Sequence, residues 1–174
     1  MRVADRPARR VLRLLLLLWL APLLSRAAPG EETLVGVEAG WGGLAGLLGQ
    51  NRAWVETVEL RPGWRFHGIG PWGALSVLDR ALYAAAGMLV NVPVTGRWRL
   101  TPSFGAGYFT HTDDFDPGYP LEFRSAIEAS YGWGRGGRIG VRYAHISNAS
   151  LGRRNDGIET VTLSCSIPIG ARPP

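Results

Sequence analysis

Residues 121–133 read Leu-Glu-Phe-Arg-Ser-Ala-Ile-Glu-Ala-Ser-Tyr-Gly-Trp. The odd positions hold Leu121, Phe123, Ser125, Ile127, Ala129, Tyr131 and Trp133, a largely apolar set. The even positions hold Glu122, Arg124, Ala126, Glu128, Ser130 and Gly132. Alternation with period two marks a β-strand, because successive side chains point to opposite faces. The pattern recurs. In 97–109, Trp98, Leu100, Pro102, Phe104, Ala106 and Tyr108 alternate with Arg97, Arg99, Thr101, Ser103, Gly105 and Gly107. In 158–169, Val161, Leu163, Cys165, Ile167 and Ile169 alternate with Thr160, Thr162, Ser164 and Ser166.

Working outward, the chain divides into about eight strands near 33–41, 53–61, 64–77, 81–93, 96–110, 120–133, 136–147 and 157–169. The first four are harder to bound, because Gly and Ala blur their alternation. Strands of roughly 10–13 residues with aromatics near their ends suit a transmembrane barrel, whose outward face is apolar and whose interior is polar. A soluble barrel inverts that arrangement, and the same alternation leaves it open. The connections favour the membrane form. With the N-terminus in the periplasm, the periplasmic joins Arg61-Pro62-Gly63, Val94-Thr95-Gly96 and 134–137 are short, while 42–52, 111–119 and 148–156 are longer. The expected fold is therefore all-β, an eight-stranded antiparallel transmembrane barrel of the outer membrane. Gly105-x-Gly107, inside a strand, reads as room for bulky interior neighbours.

The first 27 residues stand apart. Five arginines between Arg2 and Arg13 precede the uncharged run Leu14–Leu24, and Ser25-Arg26-Ala27 places small residues at −3 and −1 of a cut. That is a secretory signal peptide at 1–27, leaving a barrel domain at 28–174. The apolar run is about half of the ~20 residues that a spanning helix needs. A retained signal anchor is the competing reading. The segment also explains the charge. The whole chain has 19 basic and 14 acidic residues; 1–27 hold six Arg and one Asp, leaving thirteen of each sign. The mature domain has no net basic charge to support nucleic-acid binding. The single cysteine, Cys165, lies in an alternating apolar segment and reads as a small apolar filler.

The chemistry concentrates in Arg142-Tyr143-Ala144-His145-Ile146-Ser147-Asn148-Ala149-Ser150 and Asn155-Asp156-Gly157-Ile158-Glu159. His145 and Ser147 are two apart on one strand, so their Cα atoms lie roughly 6.7 Å apart on one face. They share parity with Val141 and Tyr143, the apolar outward set. Glu159 shares parity with Val161, Leu163 and Ile167 on the next strand. Pairing 145 with 159 also pairs 143 with 161 and 141 with 163, as antiparallel register demands. The set then offers a nucleophile, a base and an orienting carboxylate. A His and a carboxylate turned toward lipid cost free energy, which makes them functional candidates. Strand seven runs outward, so the set falls at outer-leaflet depth, where an acyl ester of a lipid is the implied substrate. Asn148, Asn155 and amides of 149–152 are candidate oxyanion donors. Arg153 and Arg154 are candidate phosphate partners, or solvated loop charges. Glu38, Glu56 and Glu59 with Arg99 and Arg124 are expected to form interior ion pairs. His111-Thr112-Asp113-Asp114-Phe115-Asp116 lacks the Gly and Glu spacing of a calcium loop and reads as an acidic loop tip.

In His145-Ile146-Ser147-Asn148-Ala149, Asn155-Asp156-Gly157 and Glu159, the chain resembles the PagL-type lipid A 3-O-deacylases. The resemblance is specific there and looser, at the level of strand layout, over about 30–170. It implies an eight-stranded outer-membrane barrel with a Ser–His–Glu triad, which releases the 3-linked acyl chain of lipid A without metal or other cofactor. Ser147 would be the nucleophile, His145 the base and Glu159 the orienter. Asn155 would be the side-chain oxyanion donor, with Asn148 in support. Ser150 stands where the family commonly has Gly, and Ala171-Arg172-Pro173-Pro174 lacks the terminal aromatic common in outer-membrane barrels. The implied partner is lipopolysaccharide in the outer leaflet, with a homodimer of this chain carried as a second. An outer-membrane phospholipase and a non-catalytic structural barrel are the competing functions. Protein isolated from membranes is expected to begin at Ala28; an N-terminal sequence starting at Met1 would mean a retained anchor.

Overall fold

The computed structural model describes residues 32–44, 52–112 and 115–169. The expected signal peptide lies outside the described residues, as do 45–51 of one loop, Asp113 and Asp114 of the acidic tip, and 170–174. The chain forms β1 (Thr33–Leu44), β2 (Arg52–Arg61), β3 (Ile69–Leu78), β4 (Ala81–Val90), β5 (Val92–Thr95), β6 (Trp98–Phe109), β7 (Leu121–Trp133), β8 (Gly137–Ser147) and β9 (Ile158–Ile169). All neighbours are antiparallel, in the order β4-β3-β2-β1-β9-β8-β7-β6-β5. β4 also pairs with β6, which closes the sheet into a barrel. β4 and β5 are two parts of one strand, so the barrel has the expected eight.

Three boundaries differ from expectation, the first being β1, which runs on to Leu44, three residues into the expected 42–52 connection. The fourth strand breaks at Asn91, whose Oδ1 accepts from Thr101 Oγ1 at 3.0 Å and from Arg138 Nη1 at 3.1 Å. Beyond the break the β5–β6 register shifts at Pro93, which has no N–H to donate. The third strand begins at Ile69 rather than 64. Trp64-Arg65-Phe66-His67 alternates like a strand, but Phe66 and Ile69 exchange backbone hydrogen bonds of 2.8 and 3.0 Å around a turn in which His67 and Gly68 have positive φ. The closure seam is tight. A Cβ on Gly105 would lie 2.4 Å from the Ala86 carbonyl oxygen and 2.6 Å from the Trp72 ring; one on Gly107 would meet Tyr83 at 2.6 Å. These glycines make the interior room expected of them.

The faces are those of a membrane barrel. Leu163 and Ile139 are 67% and 55% exposed, whereas Arg142 and Glu128 are 3% and 2% exposed. No protein surrounded by water arranges its side chains this way. Aromatics mark the outer wall near both ends: Trp98 stacks edge-on with Tyr131 at 5.4 Å, and Trp41 with Trp54 at 4.9 Å.

The lumen is filled at two levels. Its middle holds an ion-pair network. Arg142 bonds Glu38, Glu59 (2.6 and 3.0 Å) and Glu128 (2.5 Å). Arg61 bonds Glu59 at 2.6 Å and Glu128 at 2.5 Å, and Arg124 reaches Glu59 at 3.1 Å. Thr162 donates to Glu38 at 2.9 Å, and the Arg124 guanidinium lies 4.4 Å from the Trp72 ring centroid. The expected Glu59–Arg124 pair is present, and Glu38 is paired, but with Arg142. Two members of the expected set lie elsewhere. Glu56 shares parity with outward-facing Trp54 and Val58, and its carboxylate accepts from Trp54 Nε1 at 3.1 Å. Arg99 lines a cavity at the opposite end, with Arg97, Arg138 and Trp133. Above the network an apolar plug includes Leu78, Tyr83, Phe109, Phe115, Ile146 and Ile158.

Arg142→Met leaves three buried carboxylates short of their shared cation. It is expected to destabilise the barrel by about 3–5 kcal/mol. Unfolding in urea, followed by heat-modifiable gel mobility, checks this against the outward-facing Cys165→Ala, which should stay within about 0.5 kcal/mol of the parent.

Candidate active site on the barrel wall

β8 and β9 reach the same end of the barrel as the connection 110–120. His145 and Glu159 are direct Cα partners across their ladder, one rung from the last paired residues, Ile146 and Ile158. Ile146 and Ile158 point inward into the apolar plug and are almost fully buried. This seats the rung and turns His145 and Glu159 outward. Ser147 ends β8 on the same face, half-buried, opposite Phe123 of β7. The structure thus gathers His145, Ser147 and Glu159 on one patch of outer wall, in the register that strand parity requires. Ser125 flanks His145 on β7, and Gly43 flanks Glu159 on β1. Tyr143, one rung below His145 on the same outward face, is the diagonal neighbour of Glu159, close enough for its hydroxyl to interact with the carboxylate. Gly157 packs on the imidazole: a Cβ there would lie 3.3 Å from His145 Cε1, and its φ of +63° independently favours glycine.

Among the described residues the lumen behind this patch is nearly filled. The gap in the lumen beside Glu38, Arg124 and Arg142 is about 20 Å³, room for one or two waters. The larger cavity, about 420 Å³, opens at the far end.

Residues 50–168 match the family model described as Lipid A 3-O-deacylase (PagL). The chain belongs to this PagL family. A curated relative, Lipid A deacylase PagL of Pseudomonas aeruginosa, is 42% identical over 60 residues. That stretch is 34% of this chain and 35% of the relative, about a third of its length. The crystal structure of the outer membrane enzyme PagL superposes with TM-score 0.58 at 20% identity, covering 79% of this chain and 99% of that one. Neisserial surface protein A gives 0.58 at 8% identity, over 83% and 100%. A de novo designed transmembrane β-barrel gives 0.59 at 11%, over 83% and 100%. These structures share the fold, and the PagL chain is an outer-membrane β-barrel.

The residues that follow His145 and Ser147 build a clamped loop. Asn148 is fully buried, turned inward by parity. Its Nδ2 donates to the Arg154 carbonyl at 2.8 Å and to the Pro117 carbonyl at 3.3 Å. Its backbone N–H donates to Asn155 Oδ1 at 3.1 Å. That bond commits the Asn155 oxygen and aims its Nδ2 the other way. Asn148 therefore belongs to the loop's framework, while Asn155 keeps an amide donor to offer. Leu151 N–H closes a turn onto the Asn148 carbonyl at 3.0 Å, with Ala149 at φ +51° and Ser150 at +63°. Ser150 occupies the backbone region that favours Gly, at a cost of roughly 1–2 kcal/mol. Of the two loop arginines, Arg154 is ion-paired with Asp116 at 3.0 Å and lies 3.9 Å from Asp156; Arg153 is exposed beside it. Among the described residues no cluster of His, Cys, Asp or Glu forms a metal site.

Sequence reasoning had not singled out three of these contributors. Tyr143 had registered only as an outward residue, and Gly157 only as part of a motif. Gly43 fell in the expected 42–52 connection rather than on a strand. Asn148→Ala removes both bonds to the neighbouring loop carbonyls and is expected to loosen 115–118 and 149–157 by about 1–3 kcal/mol. Limited proteolysis should then cut these loops faster while the barrel stays folded; unchanged loop resistance would refute the clamp.

Proposed function

We propose that this chain is an outer-membrane serine esterase that hydrolyses the 3-O-linked acyl chain of lipid A. The observation that carries the reading is the His145–Glu159 rung beside Ser147 on the lipid-facing wall, in a chain of the PagL family. The loop-bearing end of such barrels faces outside, so this patch meets the outer leaflet, where lipid A resides. The filled lumen supports the same view, since a lipid reaches the patch only through the bilayer.

His145 takes the proton as Ser147 Oγ attacks the ester carbonyl carbon. The carbonyl oxygen becomes an oxyanion, stabilised by Asn155 Nδ2 and a backbone amide of the 149–152 turn. Glu159 holds the imidazole in the tautomer that faces Ser147 and stabilises the imidazolium. Collapse of the tetrahedral intermediate breaks the bond to the sugar oxygen, which receives the proton from His145. Water, deprotonated by the same His, then attacks the acyl-Ser147 ester, releasing the fatty acid and restoring the hydroxyl. Arg153, with Arg154 if it leaves Asp116, would meet the lipid A phosphates. Asn148 supports the oxyanion loop from beneath. Cleavage of residues 1–27 would deliver the barrel domain to the membrane.

Expression in a host with fully acylated lipopolysaccharide should remove one 3-hydroxyacyl chain from lipid A, seen by mass spectrometry, without added calcium. Ser147→Ala should insert normally and lose the activity by at least about 10³-fold. An unaltered lipid A profile with the parent protein would favour a structural barrel, and calcium-dependent release of fatty acid from phospholipids would favour a phospholipase.

A further inference from the structure

Glu159 stands on the lipid-facing wall, where a carboxylate is hard to maintain. Water and headgroups can solvate it from the loop end. Toward the membrane centre its surroundings are Val161 and Leu163 on its own strand, Tyr143 and Val141 on β8, and Trp41 and Ala39 on β1. All but Tyr143 and Trp41 are aliphatic, and the Trp41 ring packs edge-on against Trp54 of β2 at 4.9 Å. An anion with one unsolvated side loses several kcal/mol unless a donor meets it. Tyr143 comes from that side. It is the diagonal neighbour of Glu159, one rung below His145 on the same outward face, within the reach of a long side chain. From that position its hydroxyl reaches toward the carboxylate.

Resting on the triad reading above, we propose that Tyr143 is a positioning residue for the reaction. From the hydrocarbon side its hydroxyl donates to Glu159 and fixes the carboxylate toward His145. A carboxylate has acceptor sites for both neighbours. With one oxygen bonded to Tyr143, the other is presented to the far nitrogen of His145, and the side chain cannot rotate away into the space over Gly43. The hydroxyl touches neither the substrate nor the reacting atoms. Its contribution runs through the reactivity of Ser147, and substrate binding is untouched.

The test compares the full-length protein with Ser147→Ala, Tyr143→Phe and Tyr143→Trp, each checked for folding by heat-modifiable mobility. Two quantities are read: kcat and KM on lipopolysaccharide, and the rate at which a fluorophosphonate labels Ser147, which needs the triad but no lipid docking. Ser147→Ala should show neither turnover nor labelling. If it turns over substrate, the triad reading fails and this proposal with it. With Ser147→Ala inactive, Tyr143→Phe is expected to lower kcat and the labelling rate together, on the order of tenfold, with KM within about twofold of the parent. Tyr143→Trp, which keeps an aromatic at this depth but displaces the donor, should behave likewise. Parental kcat and labelling in Tyr143→Phe, or a loss confined to KM, would overturn the role of Tyr143 while leaving the triad standing.

Discussion

An eight-stranded barrel has an interior just wide enough for side chains, and a membrane around it demands an apolar outer face. The polar half of every strand is therefore forced into a narrow, nearly dry space. Arg61, Arg124 and Arg142 meet Glu38, Glu59 and Glu128 there, equal in number and joined in one network. A lone buried charge would cost several kcal/mol, but this set is neutral and densely hydrogen-bonded. Arg142 is its centre: from β8 it touches carboxylates on β1, β2 and β7. A one-residue slip of β8 would send that guanidinium into lipid, leaving Glu38 without its cation and Glu59 and Glu128 with one fewer. The network thus fixes the parity of the strand that bears His145 and Ser147.

The wall patch inherits its orientation from this pin and its order from the plug above it. Ile146 and Ile158 are buried between the residues that face lipid, so the rung cannot rotate without exposing them to the polar lumen. Asn148 then ties the end of β8 to two other segments, through Pro117 and Arg154, while the Arg154–Asp116 pair joins the same two loops at the surface. The surface pair is worth little by itself. The buried amide is the stronger tie, because each of its bonds satisfies a carbonyl that water cannot reach. A turn with two left-handed residues, neither of them Gly, persists because its ends are held this way.

How legible this was depended on contrast and distance. In 121–133 and 158–169, polar and apolar residues differ sharply at every step, and the strands and their faces could be read directly. The His145–Glu159 register was legible for the same reason, since both strands show clear parity and follow one another in the chain. Glu56 was misassigned because β2 mixes polar and apolar residues on both faces, with Val55 inward and Glu56 outward, so its phase with Trp54 and Val58 was hidden. Trp64–His67 shows the right alternation, but Gly68 permits a turn where a strand was expected. The partners of Arg142 were illegible in principle: Glu38 and Glu59 are 104 and 83 residues away and meet it only because the barrel closes. Sequence showed that charges face inward, while closure decided which of them touch.

Filling the lumen also decides where chemistry can occur. A soluble esterase sinks its triad in a cleft that excludes water and shapes a pocket. Here the interior is committed to ion pairs and a plug, with a gap of only about 20 Å³ beside the network. The surface left for a substrate is the wall, and there the bilayer itself supplies the low dielectric that a cleft would otherwise provide. The exchange has a consequence for the side chains. A cleft can surround its carboxylate with backbone donors, whereas a strand on a barrel wall has spent its N–H and C=O groups on the ladder. Any donor that steadies Glu159 from below must be a side chain of matching parity, one rung nearer the membrane centre. On β8 that position is 143, and a residue there with an apolar body and a hydroxyl at its tip meets the demands of the lipid and of the carboxylate at once.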